Sequence, residues 1–194
     1  NASFTTSFNY SDKATVTYSY YSLRQLPFTV LMDVTITAKK DITIGSASVM
    51  EAPDALKDVQ NYYNEIDRPH VVISLLTSSA KSPTGKLLMC ASNTFLFSEE
   101  HGQEPRVIHE MWDNNMHLMK FNKKIKAGES YSFSIAGSSI TSAHHDDPLN
   151  EAERATIFAK LEGRERLLQF HQKAWDDLWK SDIIIDGDPQ AQQD

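Results

Sequence analysis

Several runs in this sequence hold side chains able to do chemistry. His144-His145-Asp146-Asp147 sets potential metal ligands side by side. Adjacent residues seldom converge on one ion, however. Asp147 also precedes Pro148, the pattern of a helix start in which a carboxylate caps free N–H groups. The run reads as a loop and cap, with a metal site or a contact to another domain as the alternatives. His109-Glu110-Met111-Trp112-Asp113 could stack a sugar on an indole face beside carboxylates that accept its hydroxyls. It lacks the second histidine of His-Glu-x-x-His, because position 113 is Asp. A structural tryptophan at a strand edge or interdomain surface is the preferred reading. Ser46 and Ser48 flank no Gly-x-Ser-x-Gly elbow, and no glycine-rich phosphate loop occurs. Cys90 lies in the apolar run Leu87-Leu88-Met89-Cys90-Ala91 and reads as a buried, inert thiol. No residue is assigned as catalytic, cofactor-binding or metal-ligating, no cofactor is expected, and substrate contacts stay unassigned.

The elements that must position these residues are mostly strands. Ala14, Val16, Tyr18 and Tyr20 alternate with polar neighbours. So do Phe28 to Ala38, Val71 to Leu75 and Tyr131 to Ile135. A period of two puts one set of side chains on each face of a half-buried strand. Ser82-Pro83-Thr84-Gly85 and Lys126-Ala127-Gly128-Glu129 are turns between strands. The pattern predicts an antiparallel β-sandwich over residues 3–142. Ala52 to Ile66 reads as a helical insert, with Pro53 in its first turn and Leu56, Val59, Tyr63 and Ile66 on one side. Tyr18, Tyr20, Tyr21, Tyr62 and Tyr63 are expected as core and rim aromatics.

After residue 146 the period becomes helical. Asp147-Pro148 starts the helix, Glu151 and Glu153 suit its dipole, and Gly163 either divides or weakens it. Leu167, Leu168, His171, Ala174, Trp175, Leu178 and Trp179 share one face. His171 then reads as a packing residue, and the two tryptophans as docking groups that need a large cover. Ile183-Ile184-Ile185 and Asp186-Gly187 follow, and Asp188-Pro189 repeats the helix-start signal shortly before Asp194. A start without a body implies a cut chain.

Composition sets outer bounds. The 194 residues are 40% hydrophobic and 23% charged, with a net charge of -7. That is ordinary globular chemistry, and the acidic balance disfavours nucleic acid as a partner. No apolar run approaches the ~20 residues of a membrane helix, so no membrane partner is expected. A lone cysteine makes no internal disulfide and leaves both a cytoplasmic and a bacterial exported or periplasmic location open. The chain lacks an initiator Met, so its start reads as processed or engineered.

The stretch His171-Gln172-Lys173-Ala174-Trp175-Asp176-Asp177-Leu178-Trp179-Lys180-Ser181-Asp182-Ile183, followed by Ile185-Asp186-Gly187-Asp188-Pro189 and Gln192, resembles the linker of glycoside hydrolase family 65. That family includes maltose, trehalose and kojibiose phosphorylases and related α-glucosidases. Leu23-Arg24-Gln25-Leu26-Pro27 and the Ala127-Gly128-Glu129 turn fit more diffusely. The resemblance implies a galactose-mutarotase-like sandwich over 1–143, a helical linker over 144–188, and the start of an (α/α)6 barrel at 189–194. The family's N-terminal domain usually begins earlier, which leaves open whether the first strands are included.

The function implied is that of a non-catalytic N-terminal domain. It would support the catalytic barrel, its substrate entrance or a homodimer interface, and meet carbohydrate through the whole enzyme. The catalytic acid of such enzymes lies in the barrel, so the chain alone is expected to be inactive. The alternative is an independent carbohydrate-binding or adhesion sandwich, for which an uncovered tryptophan stripe is the weak point.

Overall fold

The computed structural model describes residues 3–112, 116–180 and 187. Among the described residues, ten strands precede one long helix. They are β1 (Ser3–Tyr10), β2 (Ala14–Ser22), β3 (Thr29–Ala38), β4 (Ile42–Met50), β5 (Lys57–Arg68), β6 (Val71–Lys81), β7 (Leu88–Phe97), β8 (Ile108–Trp112), β9 (Met116–Ile125) and β10 (Ser130–Thr141), followed by α1 (Pro148–Leu178). A seven-stranded sheet runs β1-β2-β3-β10-β7-β6-β5, and a three-stranded sheet runs β4-β9-β8. Every pairing is antiparallel. The fold is thus the antiparallel β-sandwich with a C-terminal helix that the change of hydrophobic period predicts.

Alternation decides which side chains meet. Val34 and Ile36 of β3 point between the sheets and join Phe95, Met119, Phe121, Tyr131 and Phe133 in the main core. Phe121 is fully buried and stands edge-on to Phe95, Phe97 and Phe133, at centroid distances of 5.1, 4.9 and 4.9 Å. Edge-to-face contact is the favoured aromatic arrangement. The intervening residues of β3, Leu31 and Asp33, face the other way. There Leu31, Leu96 and Ala136 meet Ala159 and Leu167 of α1.

α1 begins as the sequence predicts. The Asp147 carboxylate accepts from the Asn150 N–H at 3.2 Å, and Glu151 sits in the first turn. Gly163 has φ 76° and ψ 161°, a conformation that bends the helix and that a Cβ would strain. The helix is continuous in sequence but kinked there. Cys90 is buried beneath the first turns with Ile140 and Ala152, and burial pushes its thiol pKa up to about 11. The Ser82 and Lys126 turns close through Gly85 N–H to Ser82 O at 2.8 Å and Glu129 N–H to Lys126 O at 3.0 Å.

One expectation is overturned. Residues 52–66 are not a helix: Pro53 opens a turn closed by Leu56 N–H, and β5 follows. Tyr62 and Tyr63 show why. The Tyr62 hydroxyl donates to Glu153 of α1 at 3.0 Å, whereas the Tyr63 ring stacks on His109 of the small sheet at 4.4 Å. Consecutive side chains on opposite faces require a strand. A register shift between Lys57 and Gln60, with Asp58 at φ 52°, breaks the strict alternation. The bulge left a spacing that imitates a helix. The isoleucine run 183–185 and the second helix start at Asp188-Pro189 lie outside the described residues, as do Asp113 and the Asn1-Ala2 start.

Candidate functional site

The two segments that carry the family resemblance lie more than 140 residues apart, and they meet. Leu23 is buried beside Leu167 of α1. The backbone N–H of Arg24 donates to His171 Nδ1 at 3.2 Å, and Gln25 Nε2 donates to the Leu167 carbonyl at 2.9 Å. The Arg24 guanidinium lies over the Trp175 ring at 4.9 Å, and Tyr21 meets His171 edge-on at 6.0 Å. His171 is buried here as a packing residue, in line with the sequence reading. Trp175 is half-buried. Trp179 is 66% exposed and stacks on Trp175 with centroids 6.3 Å apart. The loop between β2 and β3 therefore fixes the second half of α1, and leaves Leu178 and Trp179 facing outward.

Along its first half α1 is sealed to the sheet by polar groups. Ser138 Oγ donates to the Ala152 carbonyl at 2.6 Å and lies 2.9 Å from Thr156 Oγ1. Thr156 Oγ1 also reaches the Ser92 carbonyl at 3.2 Å. Glu153 accepts from Tyr62 at 3.0 Å and from Thr77 at 2.9 Å. Burial, then the Glu153 charge, raises the Tyr62 pKa and holds its phenol neutral. At the kink, Arg164 Nε and Nη2 both donate to Asp33 Oδ2 at 2.9 and 2.6 Å, while Ser134 Oγ donates to Oδ1 at 2.6 Å. Lys160 pairs with Glu104 at 2.8 Å, with most of both side chains covered. Sequence reasoning missed these pairs. The available signal was Asp33, a lone carboxylate amid the apolar alternation of β3, which needs a cation once buried.

The other candidate groups separate. On the small sheet, His109 Nε2 and His117 Nδ1 share a hydrogen bond at 3.0 Å, and His109 is covered by Tyr63. Desolvation and His117 lower the His109 pKa. Glu110 points to the opposite side of β8, where Lys120 holds its pKa down, and it accepts from Trp112 Nε1 at 3.3 Å. Trp112 ends an edge strand and is 57% exposed, in the position the sequence suggested. His144 and His145 pack on Phe28 at 5.5 and 5.8 Å, and Asp147 is committed to the helix cap. Ser48 Oγ donates to Asn93 Oδ1 at 2.9 Å within the sandwich.

The junction of Leu23–Pro27 with α1 can bind and orient a helix. Its contacts are packing and the hydrogen bonds of Arg24 and Gln25, while the buried Gln25 Oε1 and Trp175 Nε1 find no hydrogen-bond partner among the described residues.

No family model matches the chain. A kojibiose hydrolase of Mucilaginibacter mallensis is 66% identical over all 194 residues, and one of Flavobacterium johnsoniae is 53% identical over the same span. The chain spans 29% and 28% of the lengths of these relatives. A human-microbiome protein assigned as a kojibiose phosphorylase shares the fold at a TM-score of 0.64 and 12% identity, over 98% of this chain and 25% of that one. With the tryptophan helix and the loop that grips it in place, the chain is similar over its whole length to a part of these kojibiose hydrolases, in keeping with the resemblance of its C-terminal stretch to glycoside hydrolase family 65.

Proposed function

We propose that this region is the non-catalytic N-terminal support of an enzyme that hydrolyses α-glucosides, with kojibiose as the leading substrate. Residues 1–143 form the sandwich, 144–188 the linker, and 189–194 lead into the catalytic barrel. The observation that carries this reading is the whole-chain match to two kojibiose hydrolases of which it makes up under a third. The physical role follows from α1. Leu167 and His171 fix it to the sandwich, while Phe158, Leu161, Leu178 and Trp179 stay exposed. Apolar groups held outward by a rigid helix suit a neighbouring domain. The sandwich would thus set the angle at which the linker meets the barrel, and could border the substrate entrance or a homodimer contact.

The test compares the purified full-length protein with the 194-residue region. The full-length protein is expected to release glucose from kojibiose without phosphate, and the region alone to release none. Cleavage by the region alone would overturn the supporting role. Glucose 1-phosphate formed only with added phosphate would replace hydrolysis by phosphorolysis.

A further inference from the structure

The two faces of the large sheet differ in what they leave open. Inward, the sheets meet at a closed edge, where Tyr63 of β5 stacks on His109 of β8. Outward, on the side that carries α1, a cleft of about 630 Å³ lies beside the kink at Gly163, over strands β3, β7 and β10. Asp33, Thr35, Ser132, Ser134, Glu162 and Arg164 line it, with Leu96 at its apolar edge. That volume is in the range of small-molecule sites, and polar groups converge on it.

The charges of the cleft are spent on one another. Arg164 gives Nε and Nη2 to Asp33 at 2.9 and 2.6 Å. Arg166 Nε lies 2.9 Å from Glu162 Oε2. With Glu165, three carboxylates face two guanidinium groups, so a bound anion would meet net repulsion. Hydrogen-bonding capacity is nonetheless left over. Glu162 Oε2 is buried, and Arg166 approaches it off the direction of a hydrogen bond, so it accepts none among the described residues. Arg164 has N–H donors beyond the two that Asp33 takes, and its side chain is 48% exposed.

A hydroxyl surface leads away from the cleft. Ser132, Thr35, Thr17 and Ser7 stand opposite one another in a row across β10, β3, β2 and β1. Ser130, Thr37, Thr15 and Asn9 form the next row. Within the rows, Ser132 pairs with Thr35 at 2.9 Å, Ser7 with Thr17 at 2.8 Å and Ser130 with Thr37 at 2.8 Å, while Thr15 Oγ1 donates to Asn9 Oδ1 at 3.0 Å. Neither row carries a charge. A paired hydroxyl is already oriented and keeps unused lone pairs, so it can bind a sugar hydroxyl at small entropic cost. We propose that the cleft and the rows leading from it bind a neutral oligosaccharide, with one ring against Glu162 and Arg164 and the next over Thr35 and Ser132. The inference rests on this face of the sheet and not on the activity proposed above.

The experiment is hydrogen exchange on the full-length protein with maltotriose, with cellotriose, and with sulfate as an anionic comparison. Saturation with either sugar should slow the amides of residues 162–166 about tenfold. Slowing by sulfate and by neither sugar would overturn the proposal and give the cleft to an anion. No slowing by any of the three would overturn it outright. Ser132→Trp fills the cleft from an exposed strand position. It should abolish the slowing while the Tm stays within about 2 °C of wild type. Glu162→Gln keeps the shape and removes the charged acceptor, and serves alone should Ser132→Trp fold poorly. Titrated by the same readout, it should weaken sugar binding about fivefold. Sugar binding at wild-type strength in Glu162→Gln, or in a folded Ser132→Trp, would overturn the proposal.

Discussion

On the side of the large sheet turned toward β4, β9 and β8, rings meet rings. On the side turned toward α1, hydroxyls meet carbonyls and carboxylates meet cations. Phe121 typifies the first: no exposed surface, and perpendicular contacts to three phenylalanines. Thr156 typifies the second: no exposed surface, and a hydroxyl set between Ser138 and Ser92. Burial of rings is strong and tolerant of direction. Buried polar contacts add little net energy but penalise every misplacement, because an unpaired group is costly. The core therefore supplies stability, and the seam sets where the helix lies.

That contrast fails if the two sides respond alike to deletion. Phe121→Ala should have the largest effect, roughly 3–5 kcal/mol, from lost burial and an unfilled cavity. Domains are commonly stable by only ~5–15 kcal/mol, so this variant can approach unfolding. Phe121→Leu keeps most of the volume and should retain cooperative melting at a lower Tm. If urea unfolding gave Phe121→Ala a loss below about 1 kcal/mol, rings would not dominate the core.

Thr156→Val sharpens the contrast from the other side. It preserves shape and removes one donor, for an expected loss of about 1–2 kcal/mol, or a few degrees in Tm. The location of the loss matters more than its size. Exchange should accelerate in α1 ahead of β7 and β10, since a loosened seam frees the helix first. Uniform acceleration through β7, β10 and α1 would merge the seam with the core and defeat the comparison.

The sequence made these two sides unequally legible. The core follows from alternation: Val34 and Ile36 must point one way once β3 is a strand, and Tyr131 and Phe133 follow in β10. The helix start was legible because Asp147-Pro148 is a local signal. The seam was not, since Asp33 and Arg164 are 131 residues apart and neither announces its partner. β5 was misread because local spacing cannot show a bulge at Asp58, and Tyr62 and Tyr63 declare a strand only when both faces are covered. The Leu23–Pro27 loop was visible as a diffuse motif, but its grip on Leu167, His171 and Trp175 is tertiary.

The smallest expected effect concerns a polar pair placed on the apolar side. His109 and His117 lie between the sheets at the closed edge, joined by a single hydrogen bond at 3.0 Å. With both rings neutral, one donates and the other accepts. Protonating both would set two cations in contact beneath Tyr63. Desolvation first, and His117 second, lower the His109 pKa below its ordinary 6.5. The unfolded chain thus binds more protons than the folded one between pH 6.5 and the lowered value. Stability from this group is full above about pH 6.5 and declines as pH falls through that window. Glu110 does not compensate, because it faces the other side of β8 and pairs with Lys120. His109→Gln keeps a donor and an acceptor but cannot titrate. Its Tm should fall by about 1–2 °C less than the wild type's between pH 7.5 and 5.5. Parallel Tm profiles for the two proteins would place the acid sensitivity in other groups, and leave the histidines as neutral filling in a side built mainly of apolar side chains.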